Sequence, residues 1–314
     1  MADSSKHIKL TLPDGKVVDQ FAGVTAEDVA TAISPGLAKK ALAAKLNDRV
    51  IGLQDEIVED GVLRILTFDD EEGRDVFWHS SAHLMAQAVK RLFPEAQLGI
   101  GPPIDDGFYY DIDLDRTLSP EDFPLIEQEM GRIVDEDLAV SRRELSRKEA
   151  IELFKKRHED LKIDLIADIE DGLSAYSQGE FTDLCRGPHL PSTKKIGKNF
   201  KLLSVAGAYW RGDEKNKMLQ RLYATAYPDK KMLKQHLFRI EEAKKRDHRK
   251  LGRELDLFSI QDEIGGGLCE FHILCLGHNL IMECGPTPLA QGDVRSTYSI
   301  RGALSACDKI HPLT

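Results

Sequence analysis

The chain has 314 residues, of which 41% are hydrophobic and 31% charged, and its formal net charge is −10. This length and composition are typical of a soluble globular protein with two or three domains, and the negative charge argues against a general nucleic-acid binder. No run of eighteen apolar residues and no apolar signal core are present, so we expect no membrane span and a cytoplasmic location. Five cysteines without framework spacing argue against a secreted disulfide scaffold.

The N-terminal residues, 1–68, are predicted to form a small β-grasp domain. Apolar residues alternate over 8–12, Pro13-Asp14-Gly15 makes a turn, and a second strand begins at 17–18. Thr25 is a predicted helix N-cap, and Pro35-Gly36 is predicted to end that helix. We expect a second helical piece over 38–46 and strands at 50–51 and 62–68. No catalytic constellation is visible in this domain.

A second domain is predicted over 69–228, after an acidic connector at 69–75. The apolar spacing predicts a helix over 76–93, a rigid loop over 98–107 and a strand at 108–110. Helices are predicted over 119–138, with Ser119 as N-cap, and over 146–158, with Ser146 as N-cap. We expect strands at 162–166 and 218–226; residues 201–209 are small and apolar and precede a turn at 210–213.

Two short His and Cys pairs are the main candidates for chemistry. His79 and His83 are four residues apart on a predicted helix, so both side chains face one spot. Cys185 and His189 lie about a hundred residues later, on a turn that Gly187-Pro188 imposes. Convergence of the pairs would build a site, and zinc ligand sets have this composition. The alternative is a pair of surface histidines and a buried structural cysteine.

The C-terminal part divides into a basic helix and an irregular tail. Residues 229–256 are predicted to form a linker helix, and 230–253 contain ten Lys or Arg against three Asp or Glu, which favours RNA binding or a solvated helix face. Residues 257–314 contain an aberrant segment from 269 onward, where Gly, Pro and Ser interrupt every apolar run and no strand period persists. We interpret this tail as frameshifted or mispredicted, or as a divergent extension. Metal binding by Cys269, His272, Cys275 and His278 is a weaker alternative.

Four blocks of sequence resemble bacterial-type threonyl-tRNA synthetase in the order expected of its N-terminal half. They are HSSAHLMAQAV, IGPPIDDGFYYD, FTDLCRGPH and AGAYWRGDEKNKMLQRLYATAYPDKK. The resemblance covers roughly residues 6 to 268. It implies an α+β chain: a ubiquitin-like TGS β-grasp domain, a threonyl/alanyl-type editing domain, the basic linker helix and the start of a catalytic domain.

The resemblance also implies a function. The editing domain of this family hydrolyses serine wrongly attached to tRNA(Thr), using water held by histidines. Position by position, His79, His83, Cys185 and His189 correspond to the family's two site pairs, and Asp183 to the carboxylate beside them. Lys162 corresponds to a site lysine and Tyr110 to a pocket aromatic residue. We expect this chain to act on tRNA(Thr), through the editing domain and the basic helix 229–253, as an editing hydrolase of the threonine–tRNA ligase family.

Several alternatives stay open. The ligand set would suit zinc, as in the related alanyl-type editing domain, although we favour a metal-free site. The chain could also be a non-catalytic tRNA-binding module. No class II signature motif is visible, so ATP, magnesium and the catalytic zinc belong to parts of the family outside the resemblance. We therefore expect no ligation by this chain, and a monomer.

Overall fold

The structure is a computed structural model of the 314-residue chain. It describes residues 6–169, 172–247, 250–251 and 254–255, and the backbone of 258–260, 269–275 and 278–283. The chain divides into two compact units, residues 1–235 and residues 236–314. Within the described residues, no helix is both long enough and apolar enough to span a bilayer.

The N-terminal domain is a β-grasp fold. Its elements are β1 (His7–Thr11), β2 (Val17–Phe21), β3 (Val24–Thr25), α1 (Ala26–Ile33), α2 (Pro35–Lys40), β4 (Ala43–Leu46), β5 (Arg49–Ile51), β6 (Glu56–Ile57) and β7 (Gly61–Leu66). The sheet order is β2-β1-β7-β4-β5, with β1 and β7 parallel. Thr25 caps α1 as predicted, since its side chain accepts from the Asp28 N–H and the Asp28 carboxylate accepts from the Thr25 N–H.

One predicted element of this domain is wrong. The second helical piece was expected over 38–46, but α2 ends at Lys40 and β4 occupies 43–46. Ser34 restarts the helix at Pro35, because its side chain accepts from the Leu37 N–H. Residues 43–46 then pair with β7 on one side and β5 on the other, and this long-range pairing overrides the local helix preference.

The second domain contains one long helix and two sheets. Its elements are α3 (Glu71–Leu92), β8 (Gln97–Leu98), β9 (Pro103–Ile104), β10 (Gly107–Asp113), α4 (Phe123–Glu136), β11 (Val140–Glu144), α5 (Arg147–Lys156), α6 (Asp160–Asp168), β12 (Ser174–Gln178), β13 (Phe181–Leu184), β14 (Phe200–Tyr209) and β15 (Met218–Ala226). The larger sheet has the order β14-β15-β10-β8, with β9 on β10, and the smaller has the order β11-β12-β13. The largest core joins α3, α4 and the larger sheet, and Leu42, Ala43 and Leu66 of the first domain belong to it.

Three predicted elements of this domain need correction. The acidic connector is partly helical, because α3 begins at Glu71, where Glu71 and Glu72 interact favourably with the helix N-terminus. The helix expected from Ser119 begins at Phe123, since residues 119–122 form a turn in which Asp122 accepts from the Ser119 N–H.

The strand expected at 162–166 is helix α6. Leu161 and Leu165 are four residues apart, which puts them on one helix face, and both pack against Trp210 and Leu219. A short apolar run does not by itself distinguish a helix from a strand. Here the contact with distant residues favours the helix.

Helix α7 (Lys230–Lys245) follows β15, and after the non-helical residues 246–247 the described residues 250–251 and 254 are helical again, so the single helix expected over 229–256 is interrupted. The backbone of the second unit forms β16 (Phe258–Ile260), β17 (Cys269–Cys275) and β18 (His278–Glu283), joined antiparallel in that order. We expected no strand after Leu268. The expectation is wrong for these two ranges, which pair antiparallel. The interpretation of 269–314 as a frameshifted or mispredicted tail, and the metal alternative at Cys269, His272, Cys275 and His278, depend on residues or side chains outside the described part.

Candidate active site

Helix α3 supplies the first half of the site. It is buried along most of its length, and the Trp78 indole N–H donates to the Ala226 carbonyl on β15 at 2.8 Å. His79 and His83 follow on one face, with ring centroids 5.2 Å apart. The predicted i, i+4 geometry is therefore confirmed. Both imidazoles lie on a helix whose position is fixed by its burial and its contact with β15.

The hairpin of β12 and β13 supplies the second half. Asp183 lies on β13 opposite Tyr176, and the chain then turns through a cis Gly187–Pro188 bond to His189. Gly187 has φ +69°, and a Cβ at that position would lie 1.9 Å from the Tyr176 hydroxyl oxygen. Only glycine fits here, so this residue fixes the loop that carries Cys185 and His189.

The two halves meet at the Cys185 sulfur. Its Sγ lies 3.3 Å from His79 Nε2 and 3.1 Å from His189 Nε2, and it accepts from the Gly187 N–H at 3.2 Å. The His83 ring packs against that of His189 in a tilted arrangement, with centroids 4.2 Å apart. Each of the four residues offers a ligand atom, and all four atoms lie within 4.8 Å of one another. This cluster could bind a metal ion.

A charged network borders the cluster. Lys162 on α6 forms an ion pair with Asp183, and both side chains are about 2% exposed. The Tyr110 hydroxyl donates to Asp183 and accepts from Lys162 Nζ at 3.0 Å. Lys162 Nζ also donates to the Gly99 carbonyl at 2.7 Å. The ammonium of Lys162 thus donates to two neutral partners and faces Asp183 Oδ1 as an ion pair, and that oxygen is buried without a hydrogen bond from any described residue.

Asp183 is the link between the network and the cluster. Its Oδ2 lies 3.4 Å from His83 Nε2, while Tyr110 and Lys162 hold the carboxylate from the other side. Asp183, Lys162, Tyr110 and His83 are buried, whereas His79 and Cys185 are partly exposed. The solvent-accessible side of the cluster is therefore that of His79 and Cys185.

Burial keeps the cluster neutral. It lowers the pKa of His79 to about 4, partly offset by Asp183, and with the neighbouring imidazoles it lowers the pKa of His83 and of His189 well below 6.5. Burial also raises the pKa of Cys185 to about 12, so the side chain is a thiol, and raises that of Tyr110 well above 10. At neutral pH the site therefore offers uncharged imidazoles beside one buried ion pair.

All seven residues singled out in the sequence lie together in the structure. Ser80 and the Gly99 carbonyl also take part and were not predicted. The position of Ser80 inside a predicted helix could have drawn attention to it, because a helical serine commonly hydrogen-bonds to a carbonyl one turn earlier. The carbonyl of Gly99 gives none, since a backbone group carries no side-chain pattern.

Comparison with known families agrees with this architecture. The TGS domain family matches residues 8–67, and the family described as the threonyl and alanyl tRNA synthetase second additional domain matches residues 173–223. The two matched domains place the chain in the class of aminoacyl-tRNA synthetase sequences with an editing-type second domain.

Relatives define the family within that class. The chain is 57% identical over 267 residues to the threonine–tRNA ligase of Desulforamulus reducens, covering 84% of this chain and 42% of the relative. It is 58% identical over 267 residues to that of Clostridium tetani, with the same coverage, and 58% over 263 residues to that of Anoxybacillus flavithermus, covering 83% and 41%. Over the matched residues the chain belongs to the threonine–tRNA ligase family. It spans about two fifths of the length of these relatives.

Proposed function

We propose that the second domain is a hydrolase that removes serine from mischarged tRNA(Thr). In this reaction, water adds to the ester carbonyl carbon, the bond from that carbon to the ribose oxygen breaks, and the ribose oxygen takes up a proton. The observation that carries the proposal is the convergence of His79, His83, Cys185 and His189 beside the buried Asp183. Threonine–tRNA ligases and the second additional domain family supply the tRNA context.

The neutral imidazoles hold and orient the attacking water. Their lone pairs can accept water protons, because burial keeps their pKa values low. Cys185 keeps its proton at neutral pH, so we assign it to holding His79 and His189 and not to nucleophilic attack.

Asp183 is the anchor for the substrate's ammonium or hydroxyl group. Lys162 and Tyr110 act through Asp183: the Tyr110 hydroxyl donates to it, and the Lys162 ammonium pairs with it while donating to Tyr110 and to the Gly99 carbonyl. The family resemblance implies that the site lysine steadies the tRNA end or the oxyanion, but these contacts support a positioning role for Lys162 more than a direct one.

Energetics explain why such a site is useful. Serine lacks only one methyl group of threonine, and one methyl gives roughly 1–3 kcal/mol of discrimination, or about 10- to 200-fold. A synthetic site alone then charges serine at a measurable rate. A second site that admits serine and excludes the threonine methyl removes the error.

We further propose that tRNA(Thr) binds through this domain and the basic helix, and that the protein works in the cytoplasm as a monomer. The first lysines of α7 (230, 231 and 234) are exposed and available to phosphates. We keep the prediction that this polypeptide does not form threonyl adenylate, which a pyrophosphate-exchange assay tests.

The decisive experiment is deacylation of serine-charged tRNA(Thr) by the purified chain, with threonine-charged tRNA(Thr) alongside. We expect rapid loss of serine with threonine spared. His83→Ala should abolish hydrolysis and retain tRNA binding, while His7→Ala, at an exposed histidine of the first domain, should change neither. Unchanged hydrolysis in His83→Ala would refute the assigned site. No hydrolysis by the folded wild-type chain would favour a tRNA-binding module.

A zinc-dependent hydrolase is the second candidate, because three histidines and one cysteine satisfy tetrahedral zinc. His79, His83, Cys185 and His189 would hold the ion, which would supply a bound water of lowered pKa. Against it, burial and the nearby Lys162 ammonium both disfavour added positive charge here. One zinc per purified chain, lost with activity on chelation and regained on re-addition, would establish the zinc enzyme. Full activity in metal-depleted protein would establish the metal-free site.

A further inference from the structure

The hydroxyl of Ser80 lies between the two histidine pairs. Its Oγ is 2.7 Å from the Val76 carbonyl one turn earlier on α3, 2.9 Å from the Leu190 backbone nitrogen and 3.2 Å from His189 Nδ1. Ser80 is about 3% exposed. One side chain thus connects the helix of the first pair to the loop of the second.

The donors and acceptors around the Ser80 hydroxyl determine which group donates in each of its three hydrogen bonds. A hydroxyl has one proton and two lone pairs. The Val76 carbonyl can only accept and is the closer of the two possible acceptors, so it takes the proton. The Leu190 N–H can only donate and occupies one lone pair. The remaining lone pair faces His189 Nδ1, which must then carry a proton.

We propose that Ser80 is a positioning residue that holds His189 as the Nδ1–H tautomer, with the lone pair of Nε2 directed at Cys185 and the space between the imidazoles. The contact at the other end of the ring agrees, because the Cys185 thiol lies 3.1 Å from Nε2 and can donate its proton there. Burial keeps the imidazole uncharged, so only one of its nitrogens is protonated. The catalytic consequence rests on the proposed hydrolase function; the tautomer does not.

The neighbouring Ser81 is a matched control. Its Oγ donates to the Phe77 carbonyl at 2.8 Å, which is the same bond one turn back on the same helix, and its side chain is fully buried. No hydrogen bond joins Ser81 to a described histidine. Replacing either serine by alanine removes a similar hydroxyl from α3, but only Ser80→Ala frees His189.

The first test is nitrogen NMR of the histidine-labelled wild-type chain, in which two-bond couplings distinguish Nδ1–H from Nε2–H imidazoles. The His189 signal is assigned as the one missing from His189→Gln. We expect the Nδ1–H form in the wild type and in Ser81→Ala, and a mixture of both forms in Ser80→Ala. An Nε2–H form in the wild type would overturn the proposal, and this measurement needs no variant of Ser80 to fold.

The second test is deacylation kinetics with serine-charged tRNA(Thr). Loss of the partner that orients a metal-ligating histidine typically costs about 10- to 100-fold, and we take the same order of magnitude for this buried imidazole. We expect a fall of that size in the kcat of Ser80→Ala with KM nearly unchanged, and wild-type kcat in Ser81→Ala. Wild-type kcat in Ser80→Ala would refute the positioning role. If the wild-type chain hydrolyses nothing, the proposed function fails while the spectrum still decides the tautomer.

Discussion

The buried ion pair of Lys162 and Asp183 makes a strong prediction about stability. Both side chains are about 2% exposed, so neither charge is solvated once its partner is removed. Breaking such a pair from one side typically costs about 3–5 kcal/mol of unfolding free energy, because a buried charge is left uncompensated. We expect that loss in Lys162→Met and again in Asp183→Asn. The double variant should be closer to wild type than either single variant, because it buries no charge.

Tryptophan fluorescence during urea unfolding measures this directly. The chain has two tryptophans, Trp78 and Trp210, and both are buried in the second domain, so the signal reports that domain alone. Lys198→Met is the control, because its ion pair with Asp135 is more than half exposed on both sides and should contribute about 0–1 kcal/mol. Additive losses in the double variant, or single losses no larger than the control's, would refute the reasoning.

Three other predictions follow from the same geometry. The depressed pKa of His79 means that the unfolded state binds more protons between pH 6.5 and 4, so this residue alone should lower the unfolding free energy by about 3 kcal/mol as pH drops through that window; His79→Gln should reduce the slope in urea titrations, while His83 and His189 maintain the rest of it. Gly187→Ala should abolish deacylation because of the clash with Tyr176, whereas Gly15→Ala, with φ +82° and open space, should cost only about 1–2 kcal/mol and leave activity intact. Replacing the α7 lysines at 230, 231 and 234 by alanine should lower the slope of log binding constant against log salt by roughly 0.7–0.9 per lost phosphate contact; an unchanged slope would place the phosphates elsewhere.

Local sequence patterns predicted some helices and strands closely. They failed where pairing with a distant strand determines the secondary structure of a segment. The strand expected at 218–226 is found at Met218–Ala226, and Ser146 caps α5 as expected. The segment 43–46 was expected to be helical because its residues favour helices, yet two neighbouring strands recruit it. No local signal reports such partners, since they lie in other parts of the chain.

The site shows the same division. Helical spacing was enough to predict that His79 and His83 share a face. Spacing alone does not bring Cys185 to them; their convergence was a hypothesis from the composition of the two pairs, and the family resemblance added the correspondence of each position. Lys162 is instructive, because its segment was expected to be a strand and is a helix, while its place beside Asp183 agrees with the resemblance. Family resemblance can thus predict that a residue belongs to the site even where the secondary structure predicted for its segment is wrong.

Counting acceptor sites on Asp183 limits how a substrate can be held. An ionised carboxylate has about four lone-pair positions. Tyr110 donates to Oδ2, His83 Nε2 lies 3.4 Å from the same oxygen, and the Lys162 ammonium pairs with Oδ1, which accepts no hydrogen bond from the described residues. Oδ1 is therefore the oxygen that remains for a further donor. Under the proposed function, serine would bring both an ammonium and a hydroxyl group, and Oδ1 would accept from one of them. The other group would then bind water or an imidazole of the histidine cluster. The same contacts that bury Asp183 thus limit how many donors a substrate can place on it.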